Sequence, residues 1–171
     1  MKIKTVIVGC LETNCYIVEN NNECLVIDPG DEFIKIKNSV DKKVVGVLLT
    51  HRHFDHIGAL KEVVDYYGVP VYDRDNLKEG KCIICSFDFV VNYNFGHTMD
   101  SISFIFDNIM FSGDFIFKGC IGRTDLGGDF GIMQDSIRKI LKSGLNYKIY
   151  PGHGDVTTLD DEREMLKYYL K

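Results

Sequence analysis

The chain lacks any apolar stretch long enough to cross a bilayer: its longest unbroken run lies near Val44 to Leu49, far short of the roughly 20 residues a spanning helix needs. Nor does Met1-Lys2-Ile3-Lys4-Thr5-Val6 offer the apolar core and cleavage site of a secretory signal, so a cytoplasmic location is expected. The 20 Lys and Arg residues form no stripe, and the net charge is −5. Nucleic-acid binders carry a clustered basic footprint because phosphate contacts dominate their affinity, which leaves neither nucleic acid nor membrane among the expected partners. No linker, low-complexity tract or internal repeat interrupts the 171 residues, a length suited to one well-buried domain spanning 1–171. Oligomeric state leaves no signal.

Six cysteines without an export signal read as reduced thiols rather than disulfides. Cys82-Ile83-Ile84-Cys85 has no second C-x-x-C to complete a zinc site, and its apolar, strand-like setting marks it as core or edge packing. Cys15 and Cys120 are expected near the functional site, in neither case as ligands.

What the chain does have is a concentration of histidine. Of its five, His51, His53 and His56 share the hexapeptide His-Arg-His-Phe-Asp-His with Asp55, and His97 and His153 each follow a glycine. Imidazole and carboxylate are ligands for zinc, iron and manganese. His51 and His53, two apart, project to the same side of an extended segment, whereas His53 and His56 lie one turn apart if the chain coils. Four ligands pointing in at least two directions are more than one ion easily takes from one short loop, which hints at two ions. Further candidates are His97, Asp114 and His153, each just past the end of an apolar run that reads as a strand. Any one of them alone would be an ordinary side chain. Their repeated placement at strand ends sets them apart.

Strands are expected at Ile3 to Val8, Cys15 to Glu19, Glu23 to Ile27, Val44 to Leu49, Phe87 to Val91, Ser101 to Phe106, Ile109 to Phe111 and Tyr147 to Tyr150. Helical spacing appears over Glu32 to Ser39, Ile57 to Tyr67, about Phe130 to Leu141, and Asp160 to Leu170. Two sheets stacked face to face with helices outside, an α/β fold of αββα type, would bury these runs and gather the loops at one edge.

The motifs, in order and spacing, resemble those of the metallo-β-lactamase-fold hydrolases, and among them the small glyoxalase II-like (hydroxyacylglutathione hydrolase-like) members. The resemblance runs over nearly the whole chain: Thr13-Asn14-Cys15-Tyr16, Asp28-Pro29-Gly30, the hexapeptide, Gly96-His97-Thr98, Ser112-Gly113-Asp114 and Pro151-Gly152-His153-Gly154. Gly119-Cys120-Ile121-Gly122-Arg123-Thr124-Asp125 is similar to a segment of that subgroup. The resemblance implies the four-layer αββα sandwich of two mixed sheets. It implies two divalent metal ions, zinc foremost with iron or manganese also accepted: His51, His53 and His97 on the first, Asp55, His56 and His153 on the second, and Asp114 bridging. It gives Asp28 a place behind the ligands. Since true β-lactamases of the family carry Cys or Ser where Asp114 stands, antibiotic hydrolysis is not expected.

Three departures stand out. Thr98-Met99-Asp100-Ser101 replaces the usual Thr-Pro-Gly-Ser, and Phe95 a common Pro, so that Asp100 brings a negative charge toward the metals. The segment from Asp125 to Asp129 is one residue shorter than usual. The chain also closes soon after His153, where glyoxalase II proper carries a glutathione-binding helical region, so the resemblance leaves recognition of glutathione open.

The activity expected from the resemblance is hydrolysis of a small-molecule thioester, S-lactoylglutathione-like, or related activated ester by a metal-bridging hydroxide, with Asp55 also able to accept a proton. The alternative within the fold is redox chemistry, an iron-dependent persulfide dioxygenase above all. A non-catalytic module would require a broken ligand set, and a nuclease a basic face; neither is read here. Tyr16, Arg123 and Asp125 border the site, with structural duties as natural for them as catalytic ones.

Overall fold

The computed structural model describes residues 1–171, and its longer strands fall into two mixed sheets. The first contains β1 (Lys2–Val8), β2 (Thr13–Asn20), β3 (Glu23–Ile27), β4 (Lys43–Leu48) and β5 (Val71–Tyr72), neighbours in that order, with α1 (Phe33–Ser39), α2 (Phe54–Ile57) and α3 (Leu60–Tyr67) in the connections. The chain then builds β6 (Gly80–Ile84), β7 (Phe87–Tyr93), β8 (Ile102–Phe106) and β9 (Ile109–Gly113), a short ribbon of β10 (Ile116–Phe117) and β11 (Cys120–Ile121), and α4 (Phe130–Lys142). It ends with β12 (Lys148–Pro151), β13 (Thr157–Thr158) and α5 (Leu159–Tyr168). The second sheet has the order β13-β12-β9-β8-β7-β6. No helix is long and apolar enough to cross a membrane.

Alternation along the strands accounts for the layering. In β2, Tyr16 and Val18 join Leu25 and Ile27 of β3 and Phe87, Phe89, Phe104 and Phe111 of the second sheet in one apolar cluster between the sheets. Their alternates Cys15, Ile17, Cys24 and Val26 face the other way, onto Ile36 of α1 and Val63 of α3. On the far side, Ile105 and Met110 meet Met133 and Ile137 of α4 and Leu166 of α5. Because β2, β3 and β8 are covered on both faces they read as nearly continuous apolar runs. The result is the expected αββα sandwich.

Strand direction sets where the loops meet. β4 runs parallel to β3, and β12 runs parallel to β9. β7 and β9 are both antiparallel to β8, and hence share a direction. The segments following β3, β4, β7, β9 and β12 carry Asp28, the hexapeptide, His97, Asp114 and His153 in turn. The start of β2 reaches the same edge, where Thr13 forms a bridge with His153.

One expected element is corrected. The helix read as Ile57 to Tyr67 is two helices, α2 and α3, broken at Gly58-Ala59. Gly58 abuts the Asp28-Pro29-Gly30 turn so closely that a Cβ on it would lie 2.2 Å from the Gly30 carbonyl oxygen, and Ala59 N–H donates to Pro29 O at 3.0 Å. A contact across the fold interrupts the helical ladder. Helical spacing cannot reveal it.

Candidate metal centre

Local structure aims the hexapeptide in two directions. His53 is the N-cap of α2 with extended backbone (φ −63°, ψ 147°), so His51 and His53 project alike and His51 Nε2 lies 3.2 Å from His53 Nδ1. His97, from the loop after β7, brings its Nε2 to 2.9 Å from the same Nδ1. One turn later, with His56 N–H on His53 O at 2.9 Å, Asp55 and His56 face His153 instead. Donor atoms converge as His51, His53 and His97; as His51, His56 and Asp114; and as Asp55, His56 and His153, within each group all inside 4.8 Å of one another. All seven residues read as ligands from the sequence are therefore brought together.

Each imidazole has its outward nitrogen on an oxygen. His51 Nδ1 is 3.1 Å from Thr50 Oγ1, whose own proton goes to Asp28 Oδ2 at 2.6 Å. His53 Nε2 meets Leu126 O at 3.2 Å, His56 Nδ1 meets Asp28 Oδ2 at 3.0 Å, His97 Nδ1 meets Arg123 O at 2.6 Å, and His153 Nδ1 meets Leu11 O at 2.9 Å. Donating outward fixes the tautomer of the neutral ring, in which the inward nitrogen carries the lone pair a metal ligand requires.

Asp114 stands between the groups. Its Oδ1 lies 3.3 Å from His56 Nε2, and its Oδ2 lies 3.4 Å from His97 Nε2 and 3.7 Å from His153 Nε2. His56 Nε2 and Asp114 Oδ1 are buried and make no hydrogen bond of acceptable geometry. An unsatisfied buried polar atom costs about 1–3 kcal/mol, and a cation shared by these two would satisfy both. Ring nitrogens 2.9–3.2 Å apart also approach the roughly 3.3 Å edge of a tetrahedron with 2.0–2.1 Å arms. The donors fit divalent metal ions.

The electrostatics divide the cluster. Burial and the surrounding imidazoles hold His51 well below the usual histidine range, and burial lowers His97 despite the charge of Asp114. At His56 burial is outweighed by the carboxylates of Asp114 and Asp28, which lift the ring to about 10, and at His153 by Asp55 and Asp114. Burial likewise opposes ionisation of Asp55 and Asp114, but hydrogen-bonded or nearby imidazoles keep both below the ordinary carboxylate value. A cation bound among these donors would take the place of the proton that the two carboxylates favour on His56.

The centre opens into a cleft of about 650 Å³ whose wall includes Leu11, Phe54, Phe117, Arg123 and Leu126. Arg123 is held by Asp125 through two 2.6 Å hydrogen bonds, a brace for the loop whose carbonyls anchor His97 and His53. Tyr16 is buried, its hydroxyl donating to Pro151 O at 2.6 Å, so it supports the His153 loop from behind. Cys15 faces the helix-side core and Cys120 is exposed on β11; neither supplies a donor to the cluster. Cys82 is half-buried on edge strand β6 and Cys85 is exposed. Asp100 is half-buried and lines no part of the cleft.

Some supporting groups have a role that the sequence does not reveal. Thr13 Oγ1 donates to Asp55 Oδ2 at 3.0 Å, Thr50 links Asp28 to His51, and Asn14 Nδ2 holds Pro151 O and Gly154 O at 3.0 and 2.9 Å. Thr13 and Asn14 belong to a motif visible in the sequence without its purpose. The carbonyls of Leu11, Arg123 and Leu126 could not be found there, since every residue has one.

Residues 8–80 match the family described as the Metallo-beta-lactamase superfamily. "Probable metallo-hydrolase YqgX" of Bacillus subtilis is 32% identical, over 97% of this chain and 98% of that protein. "Hydroxyacylglutathione hydrolase GloC" of Haemophilus influenzae is 29% identical, over 95% of each. Among solved structures, that of BLEG-1 B3 metallo-beta-lactamase superposes with a TM-score of 0.92 at 28% identity, covering 99% of this chain and 100% of that one. TTHA1623 in a di-iron-bound form gives 0.84 at 30% identity, covering 93% and 96%.

Proposed function

Because this chain belongs to the metallo-beta-lactamase superfamily, we propose that it is a binuclear metal-dependent hydrolase that cleaves a thioester or related activated ester. The observation that carries this reading is Asp114, with one oxygen turned to His56 and the other to His97 and His153, between two groups of donors. His51, His53 and His97 would hold one divalent ion, Asp55, His56 and His153 the other, and Asp114 would touch both. When bound, such ions supply Lewis acidity and water whose pKa falls from 15.7 to about 7.

The remaining duties fall to the chain. Five outward hydrogen bonds keep the imidazoles in one tautomer and orientation, so that little reorganisation accompanies reaction. Asp55 Oδ2 is held by Thr13 Oγ1 at 3.0 Å and His153 Nε2 at 3.1 Å at the cleft wall, and besides ligating it would be the carboxylate to take up a proton during turnover. Leu11, Phe54, Phe117 and Leu126 keep the approach to the donors apolar. The name of the Haemophilus influenzae relative supports thioester chemistry, and the di-iron form of TTHA1623 supports iron alongside zinc and manganese as an occupant.

The test is metal analysis of the purified protein and of Asp114→Ala, with turnover measured on thioesters, a lactone, a β-lactam and a phosphate ester. The variant is expected to lose at least one equivalent of metal and most thioesterase activity. Full occupancy with undiminished turnover would falsify the bridging role. Oxygen uptake on a persulfide, without thioester cleavage, would move the chain to the redox branch of the fold.

A further inference from the structure

Four apolar side chains from four separate segments converge on the cleft: Leu11 from the β1–β2 turn, Phe54 at the start of α2, Phe117 at the end of β10, and Leu126 from the loop before α4. Three of them are largely uncovered, with Phe54 72%, Leu126 54% and Leu11 49% exposed. Single exposed apolar residues are ordinary on any surface. Convergence from four loops on one opening is a different observation, because none of the four belongs to the three apolar clusters of the fold. Phe117 also lies edge-on to the ring of His153, 6.0 Å between centroids, so the apolar wall begins at the donor cluster itself.

The one arginine of the wall is paired with an acid of its own loop. Arg123 is the cation lining the cleft, and its Nε and a terminal nitrogen are both taken by Asp125 at 2.6 Å. The wall also carries the acids Asp55 and Asp114 and the donor imidazoles of His53, His97 and His153. A glutathione half carries two carboxylates and an ammonium at neutral pH. Seating it here would strip water from those carboxylates against an apolar surface, with the guanidinium already paired.

We propose that the cleft selects thioesters whose thiol half is apolar and uncharged over thioesters of glutathione, an inference that rests on the hydrolase reading above. Hydrolysis breaks the C–S bond, places the hydroxyl of water on the acyl carbon, and sends the remaining proton to the departing sulfur. The apolar wall binds the thiol portion and takes no part in that exchange.

The experiment compares three acetyl thioesters on the metal-loaded full chain: S-butyl thioacetate, S-acetyl-N-acetylcysteamine and S-acetylglutathione, each rate divided by its uncatalysed hydroxide rate. The normalised kcat/KM of the S-butyl thioester is expected to exceed that of the glutathione thioester by about tenfold or more, the discrimination that one or two methylenes in an apolar pocket provide. The neutral N-acetylcysteamine thioester should fall between them. Two variants read the wall itself as a ratio between substrates, which is insensitive to the fraction of loaded protein. Phe54→Ser should narrow the ratio by removing apolar surface, and Asp125→Asn should narrow it by releasing Arg123 toward a carboxylate. Preference for the glutathione thioester, or ratios that neither variant moves, would overturn the inference and leave the hydrolase reading standing. No cleavage of any of the three would fell that reading and this inference with it.

Discussion

His56 donates Nδ1–H to Asp28 Oδ2 at 3.0 Å, and that bond is what turns its opposite nitrogen toward Asp114 at 3.3 Å. Asp28 has φ +49°, and the same carboxylate also receives Thr50 N–H at 2.8 Å and Thr50 Oγ1–H at 2.6 Å, so three donors fix its position. It therefore orients His56 directly and His51 through Thr50.

Asp28→Asn weakens the acceptor on His56 and should lower metal affinity about 10- to 100-fold, the usual cost of removing a partner behind a ligand. The ion held by His56 should be the weaker of the two. Competition against a chelator measures this, and wild-type affinity in the variant would show that Asp28 is only structural.

Gly152→Ala tests how tightly the donors are packed. A Cβ at this position would stand 2.1 Å from Asp114 Oδ1 and 2.7 Å from His56 Cε1. Either the carboxylate rotates away or the 151–154 loop shifts, and both separate the two groups of donors. Metal content should fall below one equivalent and turnover by about 100-fold, a scale expected for an ångström of misplacement. Far-ultraviolet circular dichroism should stay as in the parent. Two bound equivalents in this variant would contradict the placement of Asp114.

Removing metal should cost stability. Ions bound at 100 times their dissociation constant stabilise the folded state by about 2.7 kcal/mol per site. For a chain of this size that corresponds to about 5–10 °C in Tm for each site. A thermal scan with and without chelator reads it directly; coincident curves would mean that the cluster holds no ion in solution.

A fourth expectation separates stability from the centre. Asp129 caps α4 by accepting Ile132 N–H at 2.9 Å, while its own N–H donates to Gly96 O at 2.8 Å beside His97. Asp129→Ala removes the cap and keeps the backbone bond. It should cost about 1 kcal/mol in urea unfolding at unchanged slope. Metal affinity should hold, and a large loss of metal would mean that the cap, rather than the backbone bond, positions the His97 loop.

Much of this was legible beforehand because it depends on local periodicity. The alternation of Tyr16, Ile17 and Val18 or of Phe104 and Ile105 declares strands, and the two-residue and three-residue spacings within His51, His53 and His56 declare two directions. What stayed hidden depends on contacts distant in sequence. Strands of two residues, such as Val71–Tyr72 and Thr157–Thr158, are too short to show a period. The break at Gly58 exists only because Gly30 lies against it. Arg123 and Asp125 can be read from the sequence as bordering the site, but not that they brace the loop whose oxygens aim His97 and His53.

The oxygens behind the imidazoles come from Leu11, Asp28, Thr50, Arg123 and Leu126, and the final donor, His153, arrives with β12. A nascent chain emerging from the ribosome therefore exposes the His-Arg-His-Phe-Asp-His segment long before the rest of the cage exists. Tight capture of metal by these donors would have to wait until the span from Leu11 to His153 has been synthesised and has closed, so occupancy would report on the folding of that span.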